Sequence, residues 1–191
     1  RAGTGRFAHL AYHVNGNNDM VKGFWVGFLG AWDVLPQSSP VRARMLTCVR
    51  EIADSWASSN PSAAGGTGHK RDRPGNNLLN NMLAFWMTGD SKYETAYKKA
   101  LRKPILLAEL AAGGTFAAYG IADWSGTNLG VVSAVARIEL ARRLGSGWER
   151  LFKHTLKMSY RFVHPYRLTL WSVAAAGYLA RPGAAGEVLW Q

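Results

Sequence analysis

An all-α fold is what the sequence predicts, and three observations carry that expectation. Apolar residues recur at helical spacing in segments bounded by Pro, Gly and small polar residues. No stretch alternates apolar and polar residues in the two-residue period of a strand. A polar cluster running into a strongly apolar segment occurs three times. Asn15-Gly16-Asn17-Asn18-Asp19 precedes Met20 to Leu35, Arg71-Asp72-Arg73-Pro74-Gly75-Asn76-Asn77 precedes Leu78 to Thr88, and Asp123-Trp124-Ser125-Gly126-Thr127-Asn128 precedes Leu129 to Leu144. The apolar segments recur about every fifty residues, a period typical of helical repeats.

Residues 1 to 14 read as a lead-in, with Phe7, Leu10 and Tyr12 available to pack. The segment from Met20 carries Phe24, Trp25, Val26, Phe28, Leu29, Trp32 and Val34 and is apolar on nearly every face, so it is expected to be buried on all sides. Gly23, Gly27 and Gly30 would allow close helix contact there. Pro36 stops this helix, and Ser39 as cap with Pro40 at the first helical position starts the next. Over 41–57 Val41, Met45, Val49, Ile52, Ala53 and Trp56 form one face and Arg42, Arg44, Arg50, Glu51 and Asp54 the other, a helix with one wet side. Residues 58–74 read as a long loop. A helix over 77–88 ends at Gly89, and Ser91 with Glu94 reads as a capping box opening an amphipathic helix over 92–112, kinked or split at Pro104. Asn80 and Asn81 fall inside the apolar helix, where a buried amide needs a partner; they line a cleft or bond neighbouring helices. A helix over 128–144 closes at Gly145. Ser146 is expected to cap the next, over 148–163, whose stripe is Trp148, Leu151, Phe152, Thr155, Leu156, Ser159 and Phe162. A last apolar helix covers 168–179, after His164-Pro165-Tyr166. Buried and wet helices thus alternate as hairpins, about seven main helices in an inner and an outer layer within one domain spanning 1–191.

Composition bounds the function. Hydrophobic content of 48% and eight Trp argue against disorder. The formal charge of +11, from 23 Lys and Arg against 12 acids, favours anionic partners such as nucleic acid, a membrane surface or an acidic polysaccharide. The cations are scattered along helix faces without a long run, and no nucleic-acid reading motif is present, which disfavours nucleic acid. A single cysteine, Cys48, excludes an intrachain disulfide and reads as a small buried thiol. With five scattered His no zinc site is expected, and no cofactor is called for. Lys22, Asp33 and Pro36 interrupt the longest apolar run before the ~18 residues of a membrane span. Gly65-Gly66-Thr67-Gly68-His69-Lys70 lacks both the ending and the preceding strand of a phosphate loop. The numbered chain carries no signal peptide and begins at Arg1 rather than Met, so a processed product or fragment is expected, and an extracellular or periplasmic location stays open.

The Asn-Asn-Asp-Met leader, the stretch LAFWMTGDSKYETAYKKAL (83–101) and the stretch DWSGTNLGVVSAVARIELARRLG (123–145) resemble hairpins of the α/α-toroid superfamily. That group comprises six-hairpin glycosidases, sugar epimerases and polysaccharide lyases. The likeness runs over residues 15 to 180, and Thr88-Gly89-Asp90 before Lys92-Tyr93 is similar to its turn between inner and outer helices. A closed toroid takes about twelve helices, so the resemblance implies an open arc, a fragment, or one piece of a larger toroid. It also implies a cleft at one end of the inner helices, formed by the loops that enter them. That rim would gather Asn15, Asn17, Asn18, Asp19, Arg71, Asp72, Arg73, Asn76, Asn77, Trp124, Asn128, His164 and Tyr166.

Such a set suits a carbohydrate. Amides and carboxylates bond ring hydroxyls, and an indole covers the apolar face of a sugar. An Asn or Asp before a helix is also an ordinary cap, but four polar residues among 15–19 exceed that need. Hydrolysis asks for two facing carboxyl groups, for which Asp19, Asp72 and Asp123 are the candidates. Elimination from a uronate asks for groups that neutralise its carboxylate and a base that removes a proton. Arg71, Arg73, His13, His164 and Tyr166 (with Tyr12) offer these. Two readings result: a protein acting on or binding a polysaccharide, with an acidic chain favoured, and a non-catalytic module that associates with itself or another chain through its apolar helices.

Overall fold

In the computed structural model, the structure describes residues 20–57, 74–111 and 124–179. Over these the protein is all-α: α1 (Met20–Val34), α2 (Pro40–Ala57), α3 (Pro74–Thr88), α4 (Ser91–Leu101), α5 (Pro104–Ala111), α6 (Trp124–Arg143), α7 (Glu149–Val163), a 3-10 turn at His164–Tyr166 and α8 (Thr169–Leu179). Among the described residues there is no strand, and no helix is long and apolar enough to cross a membrane. The expected loop over 58–74 lies almost wholly outside them.

The helix ends follow local chemistry. Ser39 accepts a bond from the backbone N–H of Val41 at 3.2 Å, and Pro40 opens α2 as the residues predict. Gly89 has φ +69° and Gly145 φ +59°, left-handed positions that suit a residue without Cβ. After α6 the backbone N–H of Ser146 reaches back to the carbonyl of Ala141 at 2.9 Å and that of Gly145 to Arg142 at 3.1 Å, a Schellman closure. Ser146 therefore ends α6 rather than capping α7, where Trp148 holds the cap position without a side-chain bond. The cap of α4 is Asp90, not Ser91. Its carboxylate accepts from the N–H of Lys92 at 3.0 Å, and Glu94 pairs instead with Lys98. Pro104 splits the expected helix 92–112 into α4 and α5.

The centre of the core is α3. Leu78 through Ala84 are all buried there, and α1, α2, α4, α5 and α6 all pack against this helix. On α1 the expectation of burial on all sides fails. Val21, Trp25 and Leu29 form a buried stripe at spacing four, while Phe24, Val26 and Val34 are 44%, 40% and 79% exposed. A Cβ built on Gly23, Gly27 or Gly30 meets no described atom within 4 Å, so these glycines make no close helix contact there. Apolar composition permits burial on every face, but the number of packed neighbours decides how many faces are covered. On α7 the stripe continues through Tyr160 and Val163 rather than Phe162, because a 3.6-residue period carries the buried line one position on by the fourth turn.

The carboxyl-terminal ends of α1, α3 and α6 meet around one guanidinium. Arg143 donates two bonds of 2.7 Å to the two oxygens of Asp33, and its guanidinium lies 4.8 Å over the ring of Trp86. Trp86 meets Trp32 edge-on at 6.2 Å, and Arg42 stacks on Trp32 at 4.2 Å while bonding the carbonyl of that residue. Two cations thus sit where helix ends present free carbonyls and the negative dipole end. The bond from Arg143 holds the Asp33 carboxyl below the usual carboxylate range. Tyr178 of α8 belongs to the same junction, with Arg142 5.7 Å over its ring. Burial, then a hydrogen bond with Glu139, pushes its phenol up to about 12.

That raised phenol makes a testable prediction. A folded-state value above the unfolded ~10 means a contribution fully present below pH 10 and lost as pH rises through about 12. Denaturation midpoints measured across that window should fall less steeply in Tyr178→Phe than in the parent, with part of the slope remaining from Tyr93 and Tyr97, whose phenols burial also raises.

Candidate functional site

Helices α1 and α3 run in the same direction and in register. The indole Nε1 of Trp25 donates to Oδ1 of Asn80 at 2.8 Å, and about two turns further on both helices Trp32 meets Trp86. Their amino ends therefore open toward the same end of the molecule. Helix α6 shares their carboxyl-terminal junction and packs on both. Helix α8 follows α6 in direction, since Trp171 lies beside Gly130 and Tyr178 beside Arg142.

The amino half of α3 is lined with amides. Asn76, Asn80 and Asn81 are 6%, 1% and 1% exposed, and Asn77 is partly buried. Nδ2 of Asn81 donates to the carbonyl of Asn77 at 2.8 Å and to its Oδ1 at 2.6 Å. These bonds fix both amide orientations: an indole N–H needs the oxygen of Asn80, and a carbonyl needs the nitrogen of Asn81. What remains is a buried donor, Nδ2 of Asn80, and a buried acceptor, Oδ1 of Asn81, neither with a hydrogen-bond partner among the described residues. An unmade buried bond costs about 1–3 kcal/mol, so these two atoms are a local cost within the packing of α3. Of the two roles open to Asn80, bonding a neighbouring helix is the one realised; Asn81 bonds within its own helix.

The predicted site residues divide as follows. His13, Asn15, Asn17, Asn18, Asp19, Arg71, Asp72, Arg73 and Asp123 lie outside the described residues. Asn76 and Asn77 belong to the first turn of α3 rather than to a loop before it, because Pro74 takes the first helical position, where a missing N–H is harmless. In the same way α6 starts at Trp124, four residues before Asn128, since first-turn N–H groups need no partner within the helix. Only the backbone of Trp124 is described, and Asn128 stands in the second turn with its Oδ1 buried and without a partner among the described residues. His164 and Tyr166 occupy the 3-10 turn that leads into α8, both exposed, and the ring of His164 lies edge-on to Tyr160 at 5.3 Å. Each described member therefore stands at or near the amino end of α3, α6 or α8.

Among the described residues no group of three His, Cys, Asp or Glu side chains is placed to hold a metal ion. Cys48 is half-buried, and burial with Glu51 nearby pushes its thiol up, away from a reactive thiolate. One feature of charge escapes a search for consecutive basic residues: Arg150, His154, Lys157 and Arg161 stand at i, i+4, i+7 and i+11 on the exposed side of α7. The signal was helical spacing, not adjacency.

The amide-to-indole bond can be measured directly. Asn80→Ala and Trp25→Phe should each lower unfolding free energy by about 1–3 kcal/mol, and the double variant by less than the sum. Urea unfolding checks this, and strict additivity would mean that the pair is not coupled. Comparison with protein-family models, with curated proteins and with solved structures finds no match.

Proposed function

We propose that this protein binds, and acts on, a polysaccharide at the rim formed by the amino ends of its co-directional helices. The observation that carries the reading is the register of α1 and α3, which turns both amino ends the same way. Polar leaders 15–19 and 71–73 join the helices at those ends in the sequence, and the amides of α3 line the half of the helix beneath. Helix amino ends carry free N–H groups and positive dipole ends, which favour anionic groups. With a net charge of +11, an acidic chain is the favoured substrate.

Two chemistries fit this residue set. In elimination, Arg71 and Arg73 neutralise a uronate carboxylate, which acidifies the adjacent C5–H. His13, His164 or Tyr166 removes that proton, the C4–C5 double bond forms as the C4–O glycosidic bond breaks, and the leaving oxygen takes up a proton. In hydrolysis, two of Asp19, Asp72 and Asp123 serve as acid and as base or nucleophile. The sequence resemblance of the stretches 83–101 and 123–145 to α/α-toroid hairpins supports the same reading. A second reading is a module that assembles with another copy, and the exposed Phe24, Val26 and Val34 of α1 favour it.

Asp19→Ala and Trp124→Ala should each weaken binding to a polyuronate by about tenfold or more while leaving the thermal midpoint unchanged. Glycan binding by both variants at parental strength would remove the rim from consideration. Sedimentation gives the other answer: a dimer dissociated by Phe24→Ser with glycan binding absent would favour assembly.

A further inference from the structure

Helix α7 presents two chemically distinct sides. Phe152, Leu156, Tyr160 and Val163 are buried in the core. Arg150, His154, Lys157 and Arg161 are all exposed, and their spacing places them within one narrow sector of the helix. From first to last they span about 16 Å. The single acid of α7, Glu149, is already engaged by Lys153 at 2.8 Å and by Arg142 at 3.6 Å. Among the described residues none of the four meets a carboxylate; Arg161 contacts only the sulfur of Met158 at 3.9 Å.

On α2 and α4 cations share their sectors with acids or are held by them, although Lys99 and Arg102 of α4 meet no carboxylate among the described residues. On α2, Arg44 shares its sector with Glu51, and Arg50 with Asp54. On α4, Lys92 is held by Asp54 and Lys98 by Glu94. Lys157 and Arg161, four residues apart, repel by a few tenths of a kcal/mol, and no acid of α7 stands beside them. A bound line of negative charge would offset it.

We propose that this face of α7 is a docking track for a linear carboxylated polysaccharide. The proposal rests on the polysaccharide reading of the rim and adds a second contact that holds the chain away from the reacting end. Charge complementarity selects a polyanion, and the absence of other features narrows it. Within the row the one aromatic ring is the imidazole of His154, with Phe162 and Tyr166 beyond its end, so the stacked bases of a nucleic acid would find few platforms along the row itself. The apolar side of the helix is committed to the core, so a lipid surface would be held by charge and by the exposed Phe162 and Tyr166, without an inserted apolar face. At the end of the row the exposed Phe162 and Tyr166 offer faces on which a sugar ring can rest.

The experiment uses the full chain and four probes: polygalacturonate, neutral dextran, a single-stranded RNA homopolymer and phosphatidylserine vesicles. Arg150→Gln/Lys157→Gln/Arg161→Gln is compared with Arg44→Gln/Arg50→Gln/Arg102→Gln, which removes the same charge elsewhere. The α7 variant should lose about tenfold or more in polygalacturonate affinity and the control less than about threefold. Arg150→Lys/Arg161→Lys should keep parental affinity, and dextran should not bind. Equal losses in the two triple variants would reduce the effect to net charge and overturn the track, as would tighter, α7-dependent binding of RNA or vesicles. Loss in Asp19→Ala and Trp124→Ala without dependence on α7 would overturn the track and leave the rim standing; the reverse pattern would keep the track and sink the rim. Failure of polygalacturonate to bind at all would overturn both.

Discussion

Arg143 stands at the point where three helices end, and the direction of the helices around it follows from that placement. Its two bonds to Asp33 tie α6 to α1, and its planar face on Trp86 ties α6 to α3. A lysine could supply the charge but not the flat fork that serves a carboxylate and an indole together. Asp33, about half exposed, would by itself be badly placed near the carboxyl end of α1, where the dipole is negative. Arg143 and Arg42 reverse that local balance. An exposed pair of this kind contributes about 1 kcal/mol or less, so its importance is geometric rather than energetic. The stability comes from α3, buried on every side through Leu78 to Ala84.

With the carboxyl ends gathered, the amino ends of α1 and α3 have little freedom. Trp25 and Asn80 set the register between them with one directional bond inside an apolar core. Buried amides are poor for bulk stability and good for alignment, because a slipped register would leave both groups unpaired. The same helix half holds Asn76, Asn77 and Asn81, more amides than alignment requires. Surplus polar groups in a core are the usual mark of a place where folding and function compete for the same atoms.

The helices themselves were legible because their starts and stops are chemical: Pro40 and Pro104 open helices, and Gly89 and Gly145 close them. Errors arose where tertiary neighbours decide. About four turns of apolar side chain say nothing about how many helices are at hand, so α1, apolar all round, has one covered stripe. Two helices begin earlier than their polar residues suggest, since Asn, Ser, Thr and Gly are tolerated in a first turn that lacks partners anyway. Of the candidate rim, His164 and Tyr166 stand before the last helix as the sequence suggests, whereas Asn76, Asn77 and Asn128 fall inside α3 and α6. The bond from Asn80 to Trp25 could not be singled out, because it joins residues far apart in the chain that only packing brings together.

Charge shows the same division between local and spatial information. A net +11 says that an anion is welcome somewhere, and consecutive residues gave no hint of where. Helical geometry narrows it, and pairing removes some cations from play. Lys92, Lys98, Arg142, Arg143 and Lys153 each face a carboxylate. A uniformly basic surface would attract any polyanion weakly and without orientation. A single row on α7, at the back of a helix whose other side is locked into the core, instead gives a linear partner one direction in which to lie. The row leads toward the turn of His164 and Tyr166, where α8 begins.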